Sequence, residues 1–496
     1  MNKRLFTILL ASLLLSSAVS CGGQMEPETN ETVPKTEPAE PEESVDFSAM
    51  SFLERLTYDR SLLSDNLPEI TFGGADYRIS FLYFDDTHMY TQDWIADEMT
   101  GDILNDAVYI RNVTVEDRFD IRMEMVPHSH LSYVSDFTAP IIAGDDAFQM
   151  ASLHPNQMSS IILDGFLMPL ESMPYLDLSQ PWWMEDANLN LSYDGVLFTA
   201  YGAATPVTLV ADSPITFFNK DLAAELQVED LYQVVREGRW TYAYFLNLIN
   251  SVAVDLNGDG TMDTSDQYGL HIPIENQFYR FVWSLGGRYV TKDADGIPTM
   301  NLHSEIMEKA FTVTRELFQA DGLYEEPGYS VEMFIDGNVL FEINSLHYIA
   351  EFRKADFEVG LLPNFKLDET QEHYLTNGGG GPQCIPITCQ NTDMTTIVME
   401  ALNAEGYKQV IPAYYETAVK YKMSDDQESA EMLDLIFSHV VYDGCRLFCP
   451  DTTFMLGQFV RDNAGFASYI ASLETSRQDA LRNGIAEFQK LLDCME

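Results

Sequence analysis

Downstream of Asp76 the chain alternates strand-like and helix-like segments, and this constrains its fold more than any other feature. Tyr77-Arg78-Ile79-Ser80-Phe81-Leu82-Tyr83 predicts a strand, Asn105 to Arg118 a helix, Ile121 to Val126 a strand, Leu131 to Ala143 a helix and Phe148 to Leu153 a strand. Repeated units of this kind build a parallel sheet covered by helices on both faces, and ligands bind beyond the carboxyl ends of its strands. The loops Phe84-Asp85-Asp86-Thr87 and His154-Pro155-Asn156 lie at those ends, so both are candidate site loops by position. A further strand is predicted over Phe352 to Leu362. Gly378-Gly379-Gly380-Gly381-Pro382 reads as a loop with unusual dihedrals, and without a following Lys-Ser or Lys-Thr it is no phosphate cradle. The C-terminal third reads as mostly helical, as in Ala430 to Val441 and Phe466 to Leu492.

Met1 to Ser20 carries Lys3 and Arg4, an apolar run from Leu5 to Leu15 and a small-residue stretch before Cys21. The run is too short to span a bilayer comfortably, and small residues ahead of a cleavage point mark an export signal. Ala18-Val19-Ser20-Cys21 resembles a bacterial lipobox. That resemblance implies removal of residues 1–20, lipidation of Cys21 and attachment to the outer face of the cytoplasmic membrane, or a periplasmic location in a two-membrane cell. The segment 21–50 that follows is rich in Glu, Pro and Thr and cannot bury enough surface to offset its ordering entropy, so it reads as an acidic spacer.

The formal charge of -50 repels phosphate backbones and anionic headgroups, which argues against nucleic acid and against electrostatic membrane docking, and leaves neutral or cationic ligands. With 46% hydrophobic residues over the whole chain, the part beyond the spacer is too long for one simple core and points to two lobes or more. Beyond Cys21 the cysteines are Cys384, Cys389, Cys445, Cys449 and Cys494. Their spacing leaves buried free thiols, one or two disulfides, or a four-thiolate zinc site open.

Asp255-Leu256-Asn257-Gly258-Asp259-Gly260-Thr261-Met262-Asp263-Thr264-Ser265-Asp266 reproduces a twelve-residue calcium loop. Asp255, Asn257 and Asp259 stand at positions one, three and five, Gly260 at the turn, Thr261 offers its carbonyl, and Asp263 and Asp266 stand at nine and twelve. Asp at twelve, in place of Glu, shortens the bidentate reach. Tyr268-Gly269-Leu270 after the loop reads as the start of a strand and not a second helix, so a structural Ca2+ clip is expected; a turn that binds no ion is the alternative.

Several stretches occur together in order: Phe217-Phe218-Asn219-Lys220-Asp221-Leu222, the calcium-type loop, Gly286-Gly287 followed by Asp293-Ala294-Asp295-Gly296, Leu361-Leu362-Pro363, and Tyr414-Tyr415-Glu416. From about Asp65 to the C-terminus the chain resembles the extracellular solute-binding lipoproteins of bacterial ABC importers, of the carbohydrate-uptake, maltose-binding type. The resemblance implies an α/β, two-lobed periplasmic-binding-protein-like fold of type 2, each lobe a mixed sheet flanked by helices, with the ligand cleft between lobes. It places residues 65–211 plus 363–403 in lobe 1 and residues 212–362 plus 404–496 in lobe 2. Val207 to Ser213 would be one crossing and Leu361-Leu362-Pro363 the next. It further implies a monomer that takes a small solute, a sugar or oligosaccharide, and delivers it to a permease.

By the same resemblance, Asp212 stands where relatives carry a sugar-binding acid; capping the turn at Ser213-Pro214 is the alternative. His154 and Asn156 match a lobe-1 ligand loop, Tyr279 and Trp283 a lobe-2 wall, and His347 or Tyr348 an aromatic presented to ligand. Rings suit sugars because the axial C–H face of a pyranose is apolar. Trp240 and the pair Trp182-Trp183 read as packing residues. No G-x-S-x-G or H-E-x-x-H motif occurs, and no acid pair stands out for glycoside hydrolysis, so a non-enzymatic receptor is expected. A receptor for peptides or polyamines and a surface glycan-degrading enzyme remain the alternatives.

Overall fold

The computed structural model describes residues 50, 52–84, 90–206, 213–273, 280–326, 330–422 and 427–495. The export segment, Cys21, the spacer, Asp85, Asp86, Asp212 and Tyr279 lie outside the described residues. In chain order the strands are β1 (Ala75–Tyr83), β2 (Ile121–Ser129), β3 (Met150–Ser152), β4 (Pro214–Asn219), β5 (Tyr268–Pro273), β6 (Val290–Lys292), β7 (Pro298–Met300), β8 (Leu323–Glu326), β9 (Val339–Ser345), β10 (Val359–Leu362), β11 (Thr376–Asn377), β12 (Gln383–Cys384) and β13 (Val440–Val441).

One sheet has the order β12-β3-β1-β2, with β1 parallel to β2 and β3, and β12 antiparallel to β3. β1 alternates Tyr77, Ile79 and Phe81 with Asp76, Arg78 and Ser80, and both of its faces are covered only over Ile79 to Leu82, which are all buried. Tyr77, Ile79 and Phe81 pack with Val108, Val115 and Phe119 of the helix Ile103–Phe119, while Leu82 packs with Tyr133, Phe137 and Ile141 of the helix Tyr133–Ala143. Asp102 starts the first of these helices by accepting from the Leu104 and Asn105 amides, and left-handed Asp120 ends it.

The second sheet has the order β10-β4-β9-β5-β8, in which β4 is antiparallel to both neighbours and β5 is parallel to both of its own. Ile215 and Phe217 pack with Phe334 and Phe352 on one face, and Phe218 with Tyr232 and Trp240 on the other. Thr241 caps the helix Tyr242–Val252, and Ser304 caps Glu305–Phe318. Trp240, Trp182 and Trp183 are buried core residues, as expected. All five described cysteines are free thiols, four of them buried.

Three expectations are corrected. Leu361-Leu362-Pro363 is no crossing: β10 pairs with β4 inside the second sheet, and Asn364 beyond it bonds Thr216 and the Pro214 carbonyl. Residues 363–375 therefore stay with lobe 2, since Lys366 pairs with Trp240 and the Tyr374 hydroxyl bonds the Val235 carbonyl. In turn, the helix Ile411–Lys422, assigned to lobe 2, packs on Ile103–Phe119 of the first sheet. Secondly, the expected strand from Phe352 begins only at Val359, because Leu346–Lys354 forms a 3-10 helix. Thirdly, the helix expected to reach Val441 ends at Phe437, and Val440-Val441 pairs in parallel with Thr376-Asn377.

That short ladder lies between the sheets. The Thr376 hydroxyl bonds the Pro214 carbonyl at the start of β4, and a few residues later β12 joins the first sheet. Glycine is required in this crossing by contact: a Cβ on Gly378 would overlap the Tyr442 ring, and one on Gly381 the Ser152 hydroxyl. Gly380 has φ +93°, a left-handed backbone that favours glycine.

Candidate functional site

The carboxyl ends of β1, β2 and β3 lead to Phe84, His130 and His154. Their rings gather: Phe84 lies 4.6 Å from His130 and 5.9 Å from His154, and Tyr90 lies 5.6 Å from Phe84 and 6.1 Å from His154, centroid to centroid. His154 is fixed as the N-cap of Pro155–Leu163, its Nδ1 accepting from the Asn156 amide at 3.2 Å, while the Asn156 side chain is exposed. His130 Nδ1 is buried without a hydrogen-bond partner among the described residues.

On the second sheet β9 ends at Ser345 and delivers His347 and Tyr348, half-buried, with ring centroids 4.3 Å apart. The two edges are stitched to one segment. The Leu153 amide, beside His154, donates to the Pro382 carbonyl at 2.9 Å, and the Leu346 amide, beside His347, donates to the Ser213 carbonyl at 3.1 Å. The Ser213 hydroxyl then reaches the Asn377 carbonyl at 3.3 Å. Residues 377–382 thus form a floor that touches the carboxyl edge of each sheet.

Against that floor stand Tyr201 and Tyr442, with ring centroids 4.5 Å apart, the Tyr442 hydroxyl donating to the Gly379 carbonyl at 3.3 Å. Arg446 donates to Asn377 Oδ1 at 3.2 Å and lies over the Trp283 ring at 5.3 Å. Asp443 accepts from Trp283 Nε1 at 2.8 Å and from the amides of Tyr289, Val290 and Cys445. Trp283 is fully buried, so it is no wall that offers a ring face to ligand; its indole is committed to Asp443. Asp212 and Tyr279 cannot be placed, lying outside the described residues. His154 and Asn156 come together at one edge, and His347 and Tyr348 at the other.

His130, Tyr201, Tyr442 and Arg446 were not singled out from sequence. His130 was within reach, because it follows β2 as Phe84 follows β1. The others depend on the crossing segments, whose pairing has no local signal.

The calcium-type loop is built largely from side chains that accept its own amides. Asp255 accepts from Gly258 at 2.6 Å and Gly260 at 2.8 Å, Asn257 from Asp259 at 2.8 Å, Asp259 from Thr261 at 2.8 Å and Asp263 from Ser265 at 2.9 Å. Asp266 is fully buried and accepts from Leu256 and Asp263, tying the ends of the loop together. Among the described residues no group of three or more His, Cys, Asp or Glu side chains is gathered to hold a metal. The donor set, carboxylates with an amide oxygen and a carbonyl, suits a hard cation.

No protein-family model matches the chain and no curated protein matches it. Solved structures do. The cyclic alpha-maltosyl-1,6-maltose binding protein from Arthrobacter globiformis is 13% identical over 83% of this chain and 99% of its own, with a TM-score of 0.56. The sugar-binding protein MalE from the phytopathogen Xanthomonas citri is 13% identical over 83% of this chain and 99% of its own, with a TM-score of 0.55. UspC from M. tuberculosis is 15% identical over 81% of this chain and 100% of its own, with a TM-score of 0.52. The chain has the two-lobed α/β fold that these structures share.

Proposed function

We propose that this protein is a non-enzymatic receptor that captures a sugar or oligosaccharide between its lobes and presents it to the permease of an ABC importer. The observation that carries the reading is the convergence of two aromatic edges, Phe84 with His130 and His154, and His347 with Tyr348, on one crossing segment. Rings at both edges pack on the apolar C–H faces of sugars, and the crossing supplies hydrogen-bonding groups for hydroxyls. Two of the similar structures are described as binding maltose-type sugars or sugars. Capture works by closure: a ligand that touches both edges favours the closed arrangement by its differential contacts, and a bias of a few kcal/mol suffices.

Around this site the remaining parts have supporting roles. Lipidated Cys21 and the acidic spacer hold the receptor at the membrane surface, and no helix among the described residues is long and apolar enough to cross a membrane. Asp255, Asn257, Asp259, Thr261, Asp263 and Asp266 would hold a Ca2+ ion, whose charge would offset the crowding of their carboxylates and stiffen the loop.

The test is a thermal-shift screen in calcium and in chelator against saccharides, amino acids, peptides and polyamines, with product analysis of every saccharide. A ligand that binds only the native state raises the melting temperature. A rise confined to saccharides that are recovered intact supports the receptor. A rise only with peptides or polyamines, or cleaved sugar, overturns it.

A further inference from the structure

Arg446 stands out in a chain with 78 acids and only 28 Lys and Arg. It is half-buried, yet among the described residues no carboxylate pairs with its guanidinium. Its one hydrogen bond runs to Asn377 Oδ1, and its Nε is buried without an acceptor. The carboxylate nearest along the chain, Asp443, is already saturated by four N–H donors. Arg111 shows how this fold settles a buried guanidinium that has only a structural part: every one of its nitrogens donates, to the Asp93 and Ala204 carbonyls and to Asn112.

Two further polar atoms beside Arg446 are buried without partners, the Tyr201 hydroxyl and Asn377 Nδ2, on residues that are each 1% exposed. The Arg446 charge reaches both Tyr201 and Tyr442, where it opposes the rise that burial imposes on their proton affinity. A guanidinium N–H, a phenol O–H and an amide N–H thus gather on the crossing floor, all able to donate, and leaving buried donors unmade is costly. A charged acceptor satisfies such a set with stronger bonds than a hydroxyl does.

We propose that the captured saccharide carries an anionic group, a ring carboxylate or a sulfate ester, and that Arg446, Tyr201 and Asn377 receive it. This rests on the solute-capture reading and sharpens it. The overall charge of -50 disfavours an anion at long range, but surface charges are screened over about 8 Å at physiological salt, and of the carboxylates nearby Asp443 and Asp186 are held by N–H donors while the guanidinium has no carboxylate partner among the described residues.

The experiment is calorimetric titration of the purified full chain with length-matched neutral, uronate-containing and sulfated oligosaccharides from disaccharide to hexasaccharide, at two salt concentrations. The expected result is at least tenfold tighter binding of one anionic series than of the neutral one. That preference should shrink toward unity in Arg446→Gln and largely survive in Arg446→Lys. The series that binds identifies the source of the charge. Neutral sugars binding as tightly as anionic ones to the unaltered protein overturn the inference and leave sugar capture standing, a result that does not depend on either variant folding. No binding by any saccharide overturns both.

Discussion

Glu400 offers a pH test whose size follows from its surroundings. It is fully buried on the helix Thr392–Glu405, and its carboxyl accepts from Trp182 Nε1 at 2.8 Å, Trp183 Nε1 at 3.0 Å and the Asp177 amide at 3.3 Å. Burial outweighs these donors and pushes its pKa up to about 7. In the unfolded chain the group titrates near 4.3, and each tenfold change in proton affinity is worth about 1.4 kcal/mol. Between those values the folded state holds a proton that the unfolded state has lost, so stability is full below the unfolded pKa and falls as pH rises through the folded one. The loss between pH 4.5 and 8 is on the order of 3 kcal/mol. Glu400→Gln removes the titration but leaves one indole N–H without its acceptor, at about 1–3 kcal/mol. Urea unfolding of both proteins at pH 5, 6, 7 and 8 should show the variant less stable at pH 5 and catching up by pH 8. A stability difference that stays flat across that range refutes the reasoning.

The crossing segment gives a second expectation. Gly381→Ala forces a Cβ onto the Ser152 hydroxyl and should cost about 1–3 kcal/mol along with saccharide affinity, whereas Gly457→Ala, in open space on the helix Met455–Arg461, should be neutral or stabilising by up to about 1 kcal/mol in a thermal melt. In calcium, Asp259→Ala should lower the melting temperature and leave saccharide affinity nearly unchanged; lost affinity with an unchanged melt contradicts a structural loop.

Elements with local signals could be read from the chain. β1 carries the two-residue alternation of a strand, Tyr77, Ile79 and Phe81 between Asp76, Arg78 and Ser80, and the helix after it begins at a capping Asp102. The start of β5 directly after the calcium-type loop, and the capping role of Thr241, were equally legible. Crossings were not, because β11 and β13 are two-residue strands whose partners are remote in sequence. Val440-Val441 follows a helix with neither Gly nor Pro between, so nothing local marks where the helix stops. Leu361-Leu362-Pro363 misled for the opposite reason, since a proline that ends an edge strand looks like a proline that begins a linker. The site divided along the same line: His154 was found by its position after a strand, while Trp283 is bonded to Asp443 and Arg446 to Asn377, partners remote from each in sequence.

The central claim is that one solute is gripped by both sheet edges at once. It is tested most directly by calorimetric titration of the best saccharide against His154→Ala, Tyr348→Ala and the double variant, with melting of each unliganded protein as a control. Each single change is expected to weaken binding severalfold or more, with little change in the unliganded melt for Tyr348→Ala and a lowered one for His154→Ala, which also loses its helix cap at about 0.5–2 kcal/mol, and the double variant should bind more weakly than either. Unchanged affinity in one of the single variants would place the ligand on one lobe only and contradict capture between them.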